Sequence, residues 1–409
     1  MRIKNIAILH YSCPPVVGGV EEIVRQQASL LHRYFHPVKV LAGLGSHFTQ
    51  EFEIEINPLL SSRNKQTLLL QNDVIKNWTS IQQLADQIFN YLKKSLFEFD
   101  VLIAHNVLSM HYNLPLTLAI HKLADHNSVK VIAWNHDSPF FYRNYPKYLS
   151  TEPWQILKKY NPNISYVTIS TSREHEFKEL YGNNAQLTVI PNGIDPIHFF
   201  RLDPVTVRLI QEKNLFSADL LIVQPSRLHP RKNIELSIRV LKSICDKGIN
   251  AYLLLTGAYD PHERKTLQYY YKLRDLAKSL NVADKLIIVA EYTFESGEKL
   301  SADRVTMRDL YQIADFLFLP SKQEGFGIPL LEAGMIKLPI FCSDIPPFKS
   351  IAENDVNYFS LKDTPNTIAQ RILNHLNQME THRIYRKVIR DYVWDNIYKN
   401  MLKPFVENL

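Results

Sequence analysis

Ser321-Lys322-Gln323-Glu324-Gly325-Phe326-Gly327-Ile328-Pro329-Leu330-Leu331-Glu332-Ala333 constrains this chain more than any other stretch. Asp315-Phe316-Leu317-Phe318-Leu319-Pro320 precedes it, an apolar run of strand length stopped by a proline. Leu330 through Met335 follows with helical character, and Pro329 suits a first helical turn, where its missing N–H is no loss. The segment reads as strand, glycine loop and helix. That order sets free backbone N–H groups and the positive end of a helix at the carboxyl edge of a parallel strand, a place where phosphate binds. Gly325 and Gly327 let the backbone approach a ligand closely or take positive φ. Glu324 falls on the loop and Glu332 about one turn into the helix, so the two carboxylates can point at different parts of one ligand. Taken singly, each is an ordinary solvated charge. The surrounding pattern makes them candidates.

The same rhythm runs along the whole chain. Ile6–Leu9, Val38–Ala42, Val101–Ala104, Val129–Ala133 and Tyr166–Ile169 read as strands, with helices over Val20–Phe35, Ile81–Phe97 and Leu114–Ala124. The pattern restarts with strands at Leu220–Val223, Ala251–Leu255, Leu286–Val289, Phe316–Leu319 and Ile340–Cys342, and a helix over Asn233–Asp246. Such alternation predicts an α/β fold of mostly parallel, doubly wound sheets. A chain of 409 residues is long for one core and suits two domains of roughly 200 residues each. Ile190-Pro191-Asn192-Gly193-Ile194-Asp195 marks the seam, and by itself it is a simple Asn-Gly turn. The expected domains are 1–190 and 191–380, with a final helical region over 381–409.

Composition narrows the class. The net charge of +6 is shared about equally by the two halves, so no basic tail or nucleic-acid stripe stands out. Cys13, Cys245 and Cys342 lie far apart without metal-ligand spacing, which fits core thiols in a reducing compartment. The opening apolar run is too short for a signal peptide, and no stretch approaches the roughly 20 apolar residues of a membrane span. The expectation is a cytoplasmic protein without an integral membrane segment. Peripheral contact with an anionic membrane stays open, although Asn90 through Phe97 reads as an ordinary packed helix. Oligomeric state is left open.

Glu324-Gly325-Phe326-Gly327-Ile328-Pro329-Leu330-Leu331-Glu332 resembles the Glu-x7-Glu motif of the retaining glycosyltransferases of family 4. The resemblance implies the GT-B fold: two Rossmann-like domains with an interdomain cleft, the C-terminal one binding a nucleotide sugar and the N-terminal one the acceptor. A C-terminal helix would cross back to the N-terminal domain. It implies transfer of a hexosyl group from a nucleoside-diphosphate sugar to a hydroxyl acceptor, with retention. Glu324 would contact donor-sugar hydroxyls and Glu332 the ribose, with Gly325, Phe326 and Gly327 lining the donor. The departing diphosphate gains charge, so cations must meet it. No Asp-x-Asp motif is present, so no metal and no cofactor beyond the sugar nucleotide are expected.

Arg227 and Lys232 match the pair with which the family grips the diphosphate; alone, each would be a solvated surface cation. Ser226 and Asn233 stand where the family usually has glycine. Gly18 and Gly19, after the first strand, resemble the family's N-terminal glycine loop, against which the donor phosphate and acceptor lie. His136, at a strand end, resembles the family histidine near the reacting centre, and a lone histidine is otherwise a structural hydrogen-bonder. Asp137 would orient His136 or bind acceptor hydroxyls, and His105 with Asn106 are further acceptor-site candidates. Glu291-Tyr292 replaces a usual glycine near the base, and Tyr259–Arg264 and Thr293–Arg308 are mouth-shaping segments or solvated loops. Donor base, donor sugar and acceptor are left open. The alternatives are a non-catalytic sugar-nucleotide sensor, or a phosphorylase or epimerase on the same scaffold.

Overall fold

The computed structural model describes residues 3–257 and 264–409; Tyr259–Glu263 of the expected mouth segment lie outside the described residues. The chain divides into two compact units, Met1–Asp195 with Tyr392–Leu409, and Pro196–Asp391.

The first unit is built on seven strands: β1 (Ile6–His10), β2 (Val38–Ala42), β3 (Glu53–Ile56), β4 (Val101–His105), β5 (Lys130–Asn135), β6 (Ile164–Thr168) and β7 (Leu187–Val189). They are parallel, in the order β3-β2-β1-β4-β5-β6-β7. The second unit has six parallel strands: β8 (Leu220–Gln224), β9 (Ala251–Leu255), β10 (Leu286–Ile288), β11 (Phe316–Leu319), β12 (Ile340–Ser343) and β13 (Asn357–Phe359). Their order is β10-β9-β8-β11-β12-β13, the same winding. Both are doubly wound parallel α/β units, as the alternating pattern predicts, and two such units are what the GT-B resemblance implies.

Helices cover both sheet faces, so the inner strands are buried end to end; β1, β2, β4 and β8 expose nothing. Successive residues feed opposite cores. Ala7 and Leu9 of β1 pack with helices Trp78–Ser95 and Leu114–His126, through Leu84, Ile88, Leu116 and Ile120. Ile6 and Ile8 pack on the other face with helix Gly19–Arg33, through Val24, Ala28 and Leu31.

Each sheet reverses its winding at one place, between β1 and β4 in the first and between β8 and β11 in the second. Chains leaving the two strands there run to opposite faces, which opens a crevice at the carboxyl ends. That is where the fold positions a site.

Several elements differ from expectation for physical reasons. The first helix stops at Arg33 because Phe35 turns left-handed, at φ +65°. Strands β3, β7 and β13 are short edge strands whose polar, half-buried sequences carry little apolar signal. The segment Thr293–Arg308 is only partly solvated: Phe294 and Leu300 are buried in the second unit's core, and helix Arg304–Ile313 begins inside it.

The expected final helix is broken into pieces, Glu380–Lys387, Trp394–Ile397 and Lys403–Glu407, joined by π-helical turns and an extended Val393. Val393 is extended because it pairs in parallel with Ile194. Beyond it Trp394 lies flat on Gly193, where any β-carbon would fall 2.5 Å from the indole, and donates from Nε1 to Gln26 Oε1 at 2.7 Å. Arg33 forks between Asp195 at 2.8 Å and Asp395 at 2.9 Å. The rings of Tyr34 and Tyr398 stack 3.9 Å apart. Trp394 is therefore the anchor of the returning segment. Trp394→Ala is expected to destabilise the first unit by about 3–5 kcal/mol, read as a lowered urea midpoint; an unchanged midpoint would show that the segment docks without it.

Candidate active site

In the second unit the candidates gather on the loops leaving β8 and β11. Gln224, the buried last residue of β8, sets the first loop. Its carbonyl accepts from the Ser226 amide at 3.0 Å and the Thr256 amide at 3.3 Å. Its side-chain amide donates to the Lys232 carbonyl at 3.3 Å and its Oε1 accepts from Ser237 Oγ at 2.6 Å. The loop presents Arg227, exposed and without a carboxylate partner among the described residues, and half-buried Lys232. Asn233 takes φ +54°, a left-handed conformation that asparagine tolerates, which accounts for its standing where the family favours glycine. Gly257 supports the loop from β9: a β-carbon there would come within 2.3 Å of the Ser226 carbonyl oxygen.

Lys232 Nζ bonds Glu324 Oε1 at 2.6 Å, joining the two loops across the winding reversal. Ser321 Oγ donates to the same oxygen at 2.7 Å, and Ser343 Oγ holds the Ser321 carbonyl at 2.6 Å. Both partners take Oε1, so the other carboxylate oxygen of Glu324 is left for a ligand. Gly327 has φ +129° and its β-carbon would fall 2.9 Å from Leu330, so only glycine fits there. Gly325 has open space around its Cα, and Phe326 beside it is more than half exposed. Glu332 lies on helix Ile328–Met335 and accepts from Tyr311 Oη at 2.7 Å. Burial and this carboxylate push the Tyr311 phenol far up, so it remains a donor.

In the first unit the candidates sit at the end of β4 and on the segments after β1, β4 and β5. Gly18 is extended and caps helix Gly19–Arg33, with the Glu21 carboxylate folded over it; Ser12 Oγ holds Glu21 Oε1 at 2.6 Å. Gly19 has open space around it. Asn106, left-handed at φ +60°, accepts at its side-chain oxygen from the amides of His136 (2.8 Å) and Asp137 (3.0 Å), shaping the exit of β5. His105 is fully buried behind His136, with its Nδ1 2.9 Å from His136 Nε2 and its Nε2 2.9 Å from Gln27 Oε1. Asn192 Nδ2 lies 3.2 Å from His136 Nδ1. Asp137 does not orient His136. Its carboxylate is drawn away by Arg173 at 3.1 Å and Tyr142 Oη at 2.7 Å, and the orienting place goes to His105 and Asn192.

Gln27 was legible only as a polar residue on the buried stripe Val24, Ala28, Leu31. Tyr311, Gln224 and Ser321 carry no local signal, since their partners lie far along the chain. Among the described residues no group of three His, Cys, Asp or Glu is disposed to hold a metal ion, and no helix is long and apolar enough to cross a membrane.

Residues 17–197 match the sequence profile of glycosyltransferase family 4, and residues 207–392 that of glycosyl transferases group 1. The chain belongs to glycosyltransferase family 4. As a glycosyltransferase of that family it is similar along most of its length to the mannosylglucosylglycerate synthase of Petrotoga mobilis. The identity is 24% over 377 residues, 84% of this chain and 83% of that protein. The mannosylglucosylglycerate synthase of Thermotoga maritima is 26% identical over 393 residues, covering 88% and 85%. A GDP-mannose-dependent alpha-(1-6)-phosphatidylinositol monomannoside mannosyltransferase of Mycobacterium tuberculosis is 25% identical over 192 residues, 47% of this chain and 45% of its own.

Burial pulls His136 down to about 3, and holds His105 and His10 below their usual value as well. An unfolded histidine takes a proton below about pH 6.5, whereas folded His136 refuses it until about pH 3. The contribution of His136 is therefore full above that pH and lost as pH falls toward 3, by up to about 1.4 kcal/mol per pH unit, and His105 and His10 act in the same direction. The urea midpoint of the first unit is expected to be lower at pH 5 than at pH 7.5; equal midpoints would mean that the rings accept protons in place.

Proposed function

We propose that this family 4 glycosyltransferase moves a mannosyl group, with retention, from a nucleoside-diphosphate sugar to a hydroxyl of a small sugar-acid acceptor. The observation that carries the donor side is the Lys232–Glu324 bond of 2.6 Å near Arg227, which is without a carboxylate partner among the described residues, on two loops that flank the winding reversal of the second sheet. Arg227 forks two diphosphate oxygens and Lys232 supplies a point charge. Glu324 meets sugar hydroxyls through its free oxygen, and Glu332, steadied by Tyr311, receives the ribose hydroxyls. Gly325 and Gly327 let the backbone lie against the donor, with Phe326 at its edge.

In the transfer, the anomeric carbon–phosphate oxygen bond breaks and a bond to the acceptor oxygen forms on the same face. The acceptor's proton passes to the departing diphosphate oxygen. Charge builds on that diphosphate, and Arg227 and Lys232 meet it in place of a metal ion. Gly18, Gly19 and His136 serve the same reaction from the first unit, with Asn106 shaping the loop that carries His136 and Asp137 a candidate for acceptor hydroxyls.

The mannosyl choice and the sugar-acid acceptor follow the names of the two relatives that span most of the chain, mannosylglucosylglycerate synthases. Incubation with a panel of sugar nucleotides, with and without glucosylglycerate, should release nucleoside diphosphate fastest with a mannosyl donor, and only when acceptor is added. Release with another sugar alone would overturn the donor assignment, and binding without release under every condition would favour a sensor. Arg227→Ala and Lys232→Ala are each expected to lower kcat by about 100-fold or more; unchanged turnover would remove the diphosphate role.

A further inference from the structure

Four buried or half-buried side chains of the first unit form one hydrogen-bonded file: Gln27, His105, His136 and Asn192. With Gln27 Oε1 as terminal acceptor, His105 must carry its hydrogen on Nε2. Its Nδ1 is then a lone pair, so His136 must donate to it from Nε2. His136 Nδ1 is in turn a lone pair, which receives the Asn192 amide N–H. Every donor points the same way along the file. The end amides have nothing left over to correct this: Gln27 Nε2 and Asn192 Oδ1 are buried without partners among the described residues. Turning one amide over would set two lone pairs or two N–H groups against each other. The file therefore reverses as a whole or not at all.

His10 is the other titratable group against this file. Its Nδ1 donates to the His105 carbonyl at 2.8 Å, and its Nε2 faces Glu21 Oε1 at 3.9 Å. It fixes the His105 backbone while leaving both ring nitrogens of His105 to Gln27 and His136.

We propose that His105 is a positioning residue that locks His136 in its Nε2–H form, so that His136 meets its substrate through the Nδ1 lone pair. This rests on the reading that His136 faces a reacting sugar. The Nε2–H is committed to a fully buried partner, whereas the Asn192 contact on Nδ1, at 3.2 Å, is the longer of the two and belongs to the loop leaving β7. A neutral ring offering only a lone pair accepts from a donor. The group it selects is thus a sugar hydroxyl, exchanged for the Asn192 amide, and not a phosphate or carboxylate oxygen. Gln27 sets the same polarity one step further back, from the helix that the glycine loop opens.

The test is nitrogen-detected NMR of histidine rings in the full chain at pH 7, with kcat and KM measured alongside. In the wild type, His105 and His136 should both be neutral and both carry hydrogen on Nε2. Finding His136 with hydrogen on Nδ1, or the two rings in opposite forms, overturns the proposal without any variant. His105→Gln keeps a carbonyl acceptor toward His136 and is expected to preserve its ring form. His105→Phe removes the acceptor, and is expected to yield a mixture of ring forms and lower kcat on the order of 10–100-fold, with a smaller change in KM. If His136 keeps one ring form in folded His105→Phe, or if the two variants lose activity equally, positioning by His105 is refuted. His136→Ala separates the two readings: undiminished turnover sinks the role of His136 in the reaction, while the ring forms alone decide whether His105 sets them.

Discussion

The reversal of winding in each parallel sheet is the constraint from which the rest follows. Between β1 and β4, and again between β8 and β11, neighbouring strands send their chains to opposite faces, so no crossover helix can cover the carboxyl ends there. Loops at that edge keep backbone groups and side chains that the sheet interior would exclude. The candidate residues lie at the ends of those strands and the adjacent β5, or on the loops and helices that leave them.

The two edges are prepared in opposite electrostatic ways. In the second unit charge is kept: Lys232 is held by Glu324, with side chains only 14% and 11% exposed, and Arg227 lies exposed on the same loop without a carboxylate partner among the described residues. Burial on that scale is tolerable because the two charges compensate each other in a short, direct contact. In the first unit charge is suppressed. Among the described residues no carboxylate contacts buried His105 or His136, so these rings offer hydrogen bonds of fixed direction instead of a movable proton.

Much of this was legible in the sequence because it is local. The run from Phe316 to Glu332 carries strand, glycine loop and helix in consecutive residues, and Gly327 does adopt the positive φ that such a turn demands. Inner strands such as Ile6–His10 are read easily because burial on both faces makes them continuously apolar. Half-buried edges such as Glu53–Ile56 are not, since four alternating residues are too short a run to stand out and their charges find partners only in the fold. Least legible were the supports. Gln27 meets His105, and Tyr311 meets Glu332, only because of the topology, and no spacing along the chain announces either pair. Asp137 was misread for the same reason, since proximity in sequence to His136 suggested a contact that Arg173 takes instead.

The parallel pairing of Ile194 with Val393 has one more consequence. The chain leaves the first unit at Asp195 and re-enters it at Tyr392, and the two crossing points are held side by side by that bridge and by Arg33. Topologically, the second unit is an insertion into the first. A cut after residue 195 would strip the N-terminal half of its own last segment. A short splice from Asp195 to Tyr392 would instead excise the whole second unit and close the histidine-bearing unit on itself.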